Sequence, residues 1–292
     1  MKIINHPLDP KDSESVAKMR NFASMRKGGF DRAAYDQLVE QTPNAPGVAY
    51  EEGKVGGVAG WWCLPGGADK SAAILYLHGG GYVLGSARAY RNFAGQIATR
   101  ARVAAFVVDY RLAPEHTLPA AVDDSIAAFQ GLFRDYASVV VVGDSAGGGL
   151  ALALAESKLA KRPAAAVLLS PMTDLALTGE TVTSRAGADF ILNKVALAGA
   201  ASQYLGSSDV RDPRASPLYG DLTGLPPVIV HVGEDEILLD DSRRFAERAG
   251  GDVTLHIWEG MPHVFPQDVG LLVAAEEALV DVGAFIHEHV NR

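Results

Sequence analysis

A serine between two glycines lies in the segment Gly-Asp-Ser-Ala-Gly at residues 143–147. The Gly-x-Ser-x-Gly pattern is typical of a nucleophile on a sharp turn between a strand and a helix, where larger flanking side chains would collide with neighbouring segments. Four consecutive valines precede the pattern and an Ala/Leu-rich stretch follows it. A phosphate-binding loop would instead need Gly-x-Gly-x-x-Gly or a Gly-Lys-Ser/Thr ending. We therefore predict that Ser145 is a nucleophile.

Three consecutive glycines preceded by His78 follow an apolar run at 72–77. Backbone N–H groups without a side chain can approach a ligand closely, and in an ester hydrolase such groups stabilise a tetrahedral oxyanion. A tight structural turn is the alternative interpretation of the glycines alone. Together with the predicted nucleophile they favour an oxyanion hole, completed by the N–H of Ala146.

A serine nucleophile needs a base to remove its proton, and an acid to hold that base in the correct tautomer. His263 lies in a loop between the last predicted strand and the last predicted helix, where the base is expected. His256 lies within a strand and is interpreted as structural. His287 and His289 lie on the polar last turn of a helix, and because no third ligand is near them we predict no metal site there.

Several carboxylates follow predicted strands and compete for the role of the acid. Asp235 is preferred because it lies two residues after the glycine that ends the strand predicted at 228–232. Glu234 and Glu236 compete with it on spacing alone, and Asp174 is a further candidate after an earlier strand. Spacing does not decide among them.

The composition excludes several classes of protein. The chain has 292 residues, 48% of them hydrophobic, and its 35 acidic and 26 basic residues give a net charge of −9. The basic residues are scattered, so neither nucleic acid nor an anionic membrane surface is a predicted partner. No apolar stretch reaches the ~20 residues that span a bilayer, and the polar start does not resemble a signal peptide. We expect a cytoplasmic globular protein. Cys63 is its single cysteine, so it cannot form an intrachain disulfide.

The pattern of apolar residues predicts an α/β fold with a mostly parallel sheet. Residues 1–47 are expected to form short amphipathic helices without a strand, and a hairpin around Gly53 follows them. Apolar runs then alternate with helical stretches, which indicates strands covered by helices on both faces. These runs lie at 72–77, 103–108, 139–142, 166–169, 228–232 and 253–258. The connection at about 175–224 is unusually long, and we expect it to join residues 1–47 as a lid over a catalytic domain at 48–292.

Five motifs in order resemble the hormone-sensitive-lipase family of α/β-hydrolases, in particular its bacterial carboxylesterase branch of the Gly-Asp-Ser-Ala-Gly type. The motifs are His78-Gly-Gly-Gly81, Asp109-Tyr-Arg-Leu-Ala-Pro-Glu115, Gly143-Asp-Ser-Ala-Gly-Gly148, Gly233-Glu-Asp-Glu-Ile-Leu238 and Pro262-His-Val264. The resemblance spans roughly residues 70–270. It implies an α/β-hydrolase fold with a helical cap, no metal or organic cofactor, and a homodimer.

The resemblance also implies the role of each site residue. It places the catalytic triad on Ser145, Asp235 and His263, and so selects Asp235 over the neighbouring glutamates. The oxyanion donors it implies are the backbone N–H groups of Gly80, Gly81 and Ala146.

The implied activity is that of a serine carboxylesterase acting on short- to medium-chain esters through an acyl-enzyme. A lactonase or an amidase would use the same triad. A non-catalytic small-molecule receptor of this fold is the third alternative, although such receptors usually lose the base that His263 supplies here.

Two further expectations concern the surroundings of the site. Asp109, Arg111 and Glu115 are interpreted as an ion-pair network that braces a loop beside it. Apolar side chains from the two cap segments could line an acyl pocket or simply pack between cap and core. These side chains are Phe22, Met25, Phe30, Phe190, Ile191 and Leu192.

Overall fold

The computed structural model describes residues 1–25 and 31–290. Its strands are β1 (Lys2–His6), β2 (Val48–Val55), β3 (Val58–Pro65), β4 (Asp69–Leu77), β5 (Val103–Val108), β6 (Ser138–Asp144), β7 (Ala166–Leu169), β8 (Val228–Gly233) and β9 (Val253–Trp258). Its α-helices are α1 (Pro10–Met25), α2 (Arg32–Val39), α3 (Ala87–Ala101), α4 (Ala120–Leu132), α5 (Ala146–Glu156), α6 (Thr181–Ser184), α7 (Lys194–Leu205), α8 (Leu239–Ala249) and α9 (Val273–Val290). Short 3₁₀ turns occur at Pro217–Tyr219 and Phe265–Gln267.

All of these strands belong to one sheet, in the order β1-β9-β8-β7-β6-β4-β5-β3-β2. Along the sheet from β1 as far as β5, every pair of neighbouring strands is parallel. At the far edge, β3 is antiparallel to both β5 and β2. Every residue of β5 and β8 is buried, as expected for strands covered by helices on both faces. The predicted α/β class and the mostly parallel sheet are confirmed.

Alternate residues of the central strand β6 face two different layers of the core. Val141 belongs to a cluster that contains Leu150 of α5 and residues of α4 and α8. Val140 belongs to a second cluster, which contains Phe93 of α3 and Leu279 of α9. The sheet is therefore packed between two layers of helices, which bury the apolar runs that the sequence displays.

Residues 1–47 contain a strand as well as helices, which corrects the prediction of helices alone. β1 pairs in parallel with β9, with Ile4 opposite His256. A half-exposed edge strand of five residues has too few apolar positions to produce a recognisable periodicity. Its pairing depends on a partner strand that lies at the other end of the sequence, where Lys2 is opposite Thr254.

The turn of the predicted hairpin also lies elsewhere. Gly53 pairs with Gly60 inside the ladder between β2 and β3. The turn itself is formed by Gly56 and Gly57, whose φ angles of 60° and 87° lie in the region that favours glycine. A β-carbon on Gly56 would lie 1.9 Å from the carbonyl oxygen of Ala127, so close packing against α4 also requires this glycine.

Helices α6 and α7 belong to the long connection between β7 and β8, and the helix predicted near residues 194–204 is α7. This connection contacts the N-terminal helix α1, where Arg20 Nη1 donates to the carbonyl oxygen of Ala188 at 2.6 Å. None of the described helices has the length and apolar character needed to cross a bilayer.

Candidate active site

The carboxyl ends of five neighbouring parallel strands bring the predicted site residues together. In the sheet these strands lie in the order β9-β8-β7-β6-β4. The glycines at 79–81 follow β4, Ser145 follows β6, the acidic residues at 234–236 follow β8, and His263 follows β9. Because all these strands run in the same direction, their loops meet at one edge of the sheet.

Ser145 occupies the strained turn that its flanking glycines predict. Its φ and ψ angles of 51° and −119° are unfavourable for a residue with a side chain. The turn is held because the Ser145 N–H donates to the Leu169 carbonyl at 2.9 Å. A β-carbon at Gly143 would lie 2.2 Å from the Gly147 carbonyl oxygen, and one at Gly147 would lie 2.0 Å from that of Leu77. Both glycines are thus required by close backbone contact.

His263 lies directly between the serine and a carboxylate. Its Nε2 is 2.9 Å from Ser145 Oγ, and its Nδ1 is 2.7 Å from Glu236 Oε2. The side chain of Glu236 is fully buried and that of His263 is 7% exposed. The structure therefore forms a continuous hydrogen-bonded chain from Ser145 through His263 to Glu236, the arrangement of a nucleophile, a base and an acid.

The prediction of Asp235 as the acid is wrong in its geometry, because the partner of His263 is Glu236. The turn after β8 directs Glu236 inward, where its Oε1 accepts from the N–H of Gly233 and from Ser170 Oγ, both at 2.6 Å. Asp235 points away from this turn and forms an ion pair with Arg20 of α1 at 3.2 Å. Spacing alone leaves Glu236 open as the acid, whereas the family resemblance implies Asp235 and is wrong at this position.

Ser170 is a site residue that sequence reasoning missed. It follows β7 with a positive φ of 48°. Its hydroxyl donates to Glu236 and accepts from the N–H of Val264 at 3.0 Å, next to the predicted base. It thereby connects the acid loop with the histidine loop. Nothing in the Ser-Pro dipeptide at this position distinguishes such a residue from an ordinary loop serine.

The charges around His263 affect its pKa and so its ability to receive a proton. Burial lowers the pKa of His263, but the negative charge of Glu236, the hydrogen bond to it and the charges of Asp189 and Asp144 together raise this pKa by more, so that it lies above its ordinary value. A carboxylate in this position can stabilise an imidazolium when the histidine is protonated.

The three predicted oxyanion donors lie beside the serine in sequence or in the adjacent loop. Gly80 and Gly81 have positive φ angles of 104° and 63°, and a β-carbon at Gly80 would lie 2.3 Å from the Leu84 carbonyl oxygen. Ala146 is the first residue of α5, where a backbone N–H has no acceptor within the helix. All three positions can therefore present bare N–H groups at this edge of the sheet.

The predicted ion-pair network of Asp109, Arg111 and Glu115 does not form. Arg111 pairs with Asp124 of α4 at 2.8 Å, and Glu115 pairs with Arg32 of α2 at 2.6 Å. Asp109 accepts from a backbone N–H at the start of α3 at 2.6 Å. Each of the three side chains makes a separate contact, because the loop places Arg111 against α4, Glu115 against α2 and Asp109 against α3.

The apolar residues of the two cap segments have different surroundings. Phe22, Met25 and Ile191 are exposed on the surface. Phe190 lies under the guanidinium of Arg20, 4.8 Å from ring centre to the Arg20 Cζ, and Leu192 packs against the main core. Phe30 lies outside the described residues. The described members of this set do not converge on one pocket.

One cluster outside this site has the residue types of a metal centre. His231, His256 and Asp281 offer ligand atoms within 4.8 Å of one another. However, the Nδ1 of His231 accepts a hydrogen bond from Trp258 Nε1 at 3.1 Å. Because burial also lowers the pKa of His231 and keeps it neutral, its proton sits on Nε2, the nitrogen that faces Asp281. This tautomer opposes coordination through His231.

The fold and the site geometry define an α/β-hydrolase with a serine, a histidine and a carboxylate in line. A family model described as alpha/beta hydrolase fold matches residues 74–267. The chain is 37% identical over 264 residues to an acetyl-hydrolase from Streptomyces hygroscopicus, which covers 87% of this chain and 88% of that relative. It is 35% identical to an ethyl acetate hydrolase from Pseudomonas putida, over 76% of this chain and 75% of that one.

A solved structure of an esterase from the bacterial hormone-sensitive lipase family superposes with a TM-score of 0.90 at 36% identity, and covers 97% of this chain and 99% of that one. The chain belongs to the hormone-sensitive-lipase family of α/β-hydrolases. The predicted resemblance is confirmed, and so is the prediction of an enzyme of the carboxylic ester hydrolase class.

Proposed function

We propose that this protein is a serine carboxylesterase that hydrolyses short- to medium-chain esters through an acyl-enzyme. The observation that carries the proposal is the continuous chain from Ser145 Oγ through His263 to the buried Glu236 carboxylate, with distances of 2.9 and 2.7 Å. Such a chain activates a hydroxyl that is otherwise a weak nucleophile.

In the first step, Ser145 Oγ attacks the carbonyl carbon of the ester and its proton passes to His263 Nε2. Glu236 holds the Nδ1 proton and stabilises the resulting imidazolium. The N–H groups of Gly80, Gly81 and Ala146 stabilise the oxyanion. Collapse of the tetrahedral intermediate breaks the bond to the alcohol oxygen, which takes the proton from His263 and leaves.

In the second step, His263 removes a proton from a water molecule that attacks the acyl-enzyme. The second tetrahedral intermediate forms in the same oxyanion site. Its collapse returns the proton to Ser145 Oγ and releases the carboxylic acid. The same three side chains serve both half-reactions, and the free enzyme is restored.

The relatives support substrates at the short end of the proposed range. Two of them are named for the hydrolysis of acetyl groups and of ethyl acetate. We further propose that residues 1–47 and the connection at 175–224 form the cap over the site. The contacts of Arg20 with Ala188 and with Asp235 support this division, since they tie α1 to both the connection and the acid loop.

The proposal is tested with Ser145→Ala and a series of p-nitrophenyl esters from acetate to decanoate. We expect Ser145→Ala to fold normally and to lose hydrolysis of every ester, whereas the exposed Ser13→Ala stays fully active. A fluorophosphonate probe should label the wild type at Ser145 alone. Retained hydrolysis by Ser145→Ala would contradict the assignment, and faster turnover of lactones or anilides than of esters would favour the lactonase or amidase alternative.

The homodimer and the cytoplasmic location stay predictions. Light scattering coupled to size-exclusion chromatography checks the first, and fractionation of the source cells checks the second.

A further inference from the structure

A chain of hydroxyl and carboxylate groups connects helix α2 with the loop of the oxyanion glycines. The hydroxyls of Tyr35 in α2 and Tyr90 in α3 are 2.7 Å apart. Tyr90 Oη lies 3.4 Å from Asp144 Oδ2, and when its single hydrogen is donated to that oxygen, Tyr35 is the donor to Tyr90. Asp144 Oδ1 accepts from the backbone N–H of Gly79 at 3.0 Å and from Tyr76 at 2.7 Å.

This chain ends at the residue that starts the oxyanion loop. Gly79 directly precedes Gly80 and Gly81, and Asp144 directly precedes Ser145. The Asp144 carboxylate therefore sets the distance between the loop that carries two proposed oxyanion donors and the turn that carries the nucleophile. Burial raises the pKa of Asp144 to about 6, while the hydrogen bonds from Tyr76, Gly79 and Tyr90 favour its ionised form. Each of these donors thus helps to keep the carboxylate charged at neutral pH.

Neighbouring contacts hold the same loop from the other side. Tyr110 donates to the carbonyl oxygen of His78 at 2.7 Å. The imidazole of His78 stacks between the rings of Tyr90 and Tyr110, with centroid separations of 5.2 and 4.3 Å. Tyr90 therefore supports the loop by both its ring and its hydroxyl, and a shift of Tyr90 would reach the oxyanion glycines by two routes.

Two further side chains of α2 form hydrogen bonds with the segment that follows the glycines. Arg32 Nε donates to the Val83 carbonyl at 2.9 Å. Asp36 Oδ2 accepts from Ser86 Oγ at 2.7 Å, and Ser86 is the N-cap of α3. Helix α2 thus contacts the chain between the oxyanion loop and Tyr90 at successive points, which is more than packing of an amphipathic face requires.

We propose that α2 positions the oxyanion loop, and that Tyr35 is the positioning residue that couples this helix to Gly79 through Tyr90 and Asp144. The inference rests on the proposed function, since it assigns a role in the same oxyanion site. The Tyr35 hydroxyl contacts Tyr90 at 2.7 Å, so we expect it to affect stabilisation of the tetrahedral oxyanion and not binding of the ester. A residue that only stabilised the fold would change neither the stabilisation of the oxyanion nor the binding of the ester in the active enzyme.

The test compares Tyr35→Phe with Tyr50→Phe, which also removes a single, partly buried hydroxyl. The Tyr50 hydroxyl accepts from the N–H of Ala45 at 3.2 Å and has no contact with the oxyanion loop among the described residues. For each variant, kcat and KM are measured with p-nitrophenyl acetate, and Ki with a trifluoromethyl ketone, whose adduct with the serine places an oxyanion in the hole. Removal of one whole oxyanion donor costs ~10²–10³ in kcat. We expect Tyr35→Phe to lower kcat by about 10-fold and to weaken the ketone by a similar factor, with KM within about twofold, because it displaces donors without deleting one.

Tyr50→Phe should match the wild type in kcat, KM and Ki. If Tyr35→Phe behaves like Tyr50→Phe in all three, the positioning role is refuted. If Tyr35→Phe does not fold, Arg32→Met tests the role of α2, because it removes the hydrogen bonds to the carbonyl oxygens of Val83 and Ala113 and the ion pair with Glu115 from a side chain that is 45% exposed. The same pattern in kcat and Ki is expected, and wild-type values would refute the role. Turnover that persists in Ser145→Ala would refute the proposed function itself, which is a separate outcome.

Discussion

Neighbouring acidic residues after β8 allow a sharp test of the site, because Glu236 contacts His263 and Asp235 does not. The perturbation is a pair of isosteric amides, Glu236→Gln and Asp235→Asn. In the first, Oε1 of the native side chain faces two donors, Ser170 Oγ and the N–H of Gly233. The amide oxygen must occupy that position, so the amide NH₂ is left facing His263 Nδ1.

This orientation imposes the wrong tautomer on His263. An NH₂ group facing Nδ1 requires that nitrogen to be an acceptor, so the proton moves to Nε2, which faces Ser145. His263 can then no longer accept the serine proton. In serine proteases the equivalent acid-to-amide change costs about 10⁴ in kcat, or about 5 kcal/mol of transition-state stabilisation. We expect a loss of the same order here.

Asp235→Asn should change kcat by less than about twofold. Asp235 pairs with Arg20, and the two side chains are 22% and 37% exposed. Partly exposed ion pairs of this kind contribute about 1 kcal/mol or less, and the effect appears in stability. Both variants have the same loss of one negative charge within adjacent residues, so Asp235→Asn is a control for the general charge effect.

The assay is kcat/KM as a function of pH, with thermal unfolding measured alongside it. The base acts only when it is neutral, so activity rises with pH through the pKa of His263. Because Glu236 raises that pKa above its ordinary value of about 6.5, the acid limb of the wild type and of Asp235→Asn should lie above pH ~6.5. In Glu236→Gln the residual activity should have its limb at lower pH. Equal losses in the two variants, or a larger loss in Asp235→Asn, would refute the assignment of the acid.

Two further predictions concern packing and burial. Gly147→Ala should lower the free energy of unfolding measured by urea denaturation by about 1–3 kcal/mol, because its β-carbon would lie 2.0 Å from the Leu77 carbonyl oxygen. Gly199→Ala in α7, with nothing within 4 Å, should be neutral or stabilising by up to ~1 kcal/mol. Glu156→Gln should raise Tm by a few degrees at pH 8 and leave it unchanged at pH 4, because burial and then the charge of Asp221 raise the pKa of Glu156 to about 8; the native state keeps a proton that the unfolded chain releases, so wild-type stability falls as pH rises between about 4.5 and 8.

The parallel strands and the nucleophile turn could be predicted because their signals are local. Four consecutive valines and a Gly-x-Ser-x-Gly turn lie within ten residues. Gly143 is required by a backbone contact inside this strand-turn-helix unit, and Gly147 by a contact with the adjacent strand β4. Likewise, His263 could be predicted because it is the one histidine in the loop between the last strand and the last helix. Patterns of this kind can be recognised in the sequence because the strand and the helix that they need lie directly before and after them.

The identity of the acid could not be predicted from spacing, because a turn of four residues directs neighbouring side chains to opposite sides. Glu236 is selected by two donors, the Gly233 N–H within its own turn and Ser170 at the end of another strand, 66 positions away. The second of these is invisible in a single segment. The pairing of Asp235 with Arg20 joins residues 215 positions apart. Three consecutive acidic residues are therefore equivalent until the surrounding chain is folded.

The N-terminal segment shows how far such long-range contacts determine the site. Helix α1 reaches the acid loop through Arg20 and Asp235, while α2 reaches the oxyanion loop through Tyr35 and Tyr90. A segment that acted only as a lid would need contacts that break easily, and the half-exposed Arg20 pair fits that description. The Tyr35 contact does not, because it continues into a buried carboxylate beside the nucleophile. The start of α1 is held as firmly, because the buried Asp12 accepts from the N–H groups of Val273 and Ala274 of α9, so the easily broken contact is confined to the part of α1 that carries Arg20.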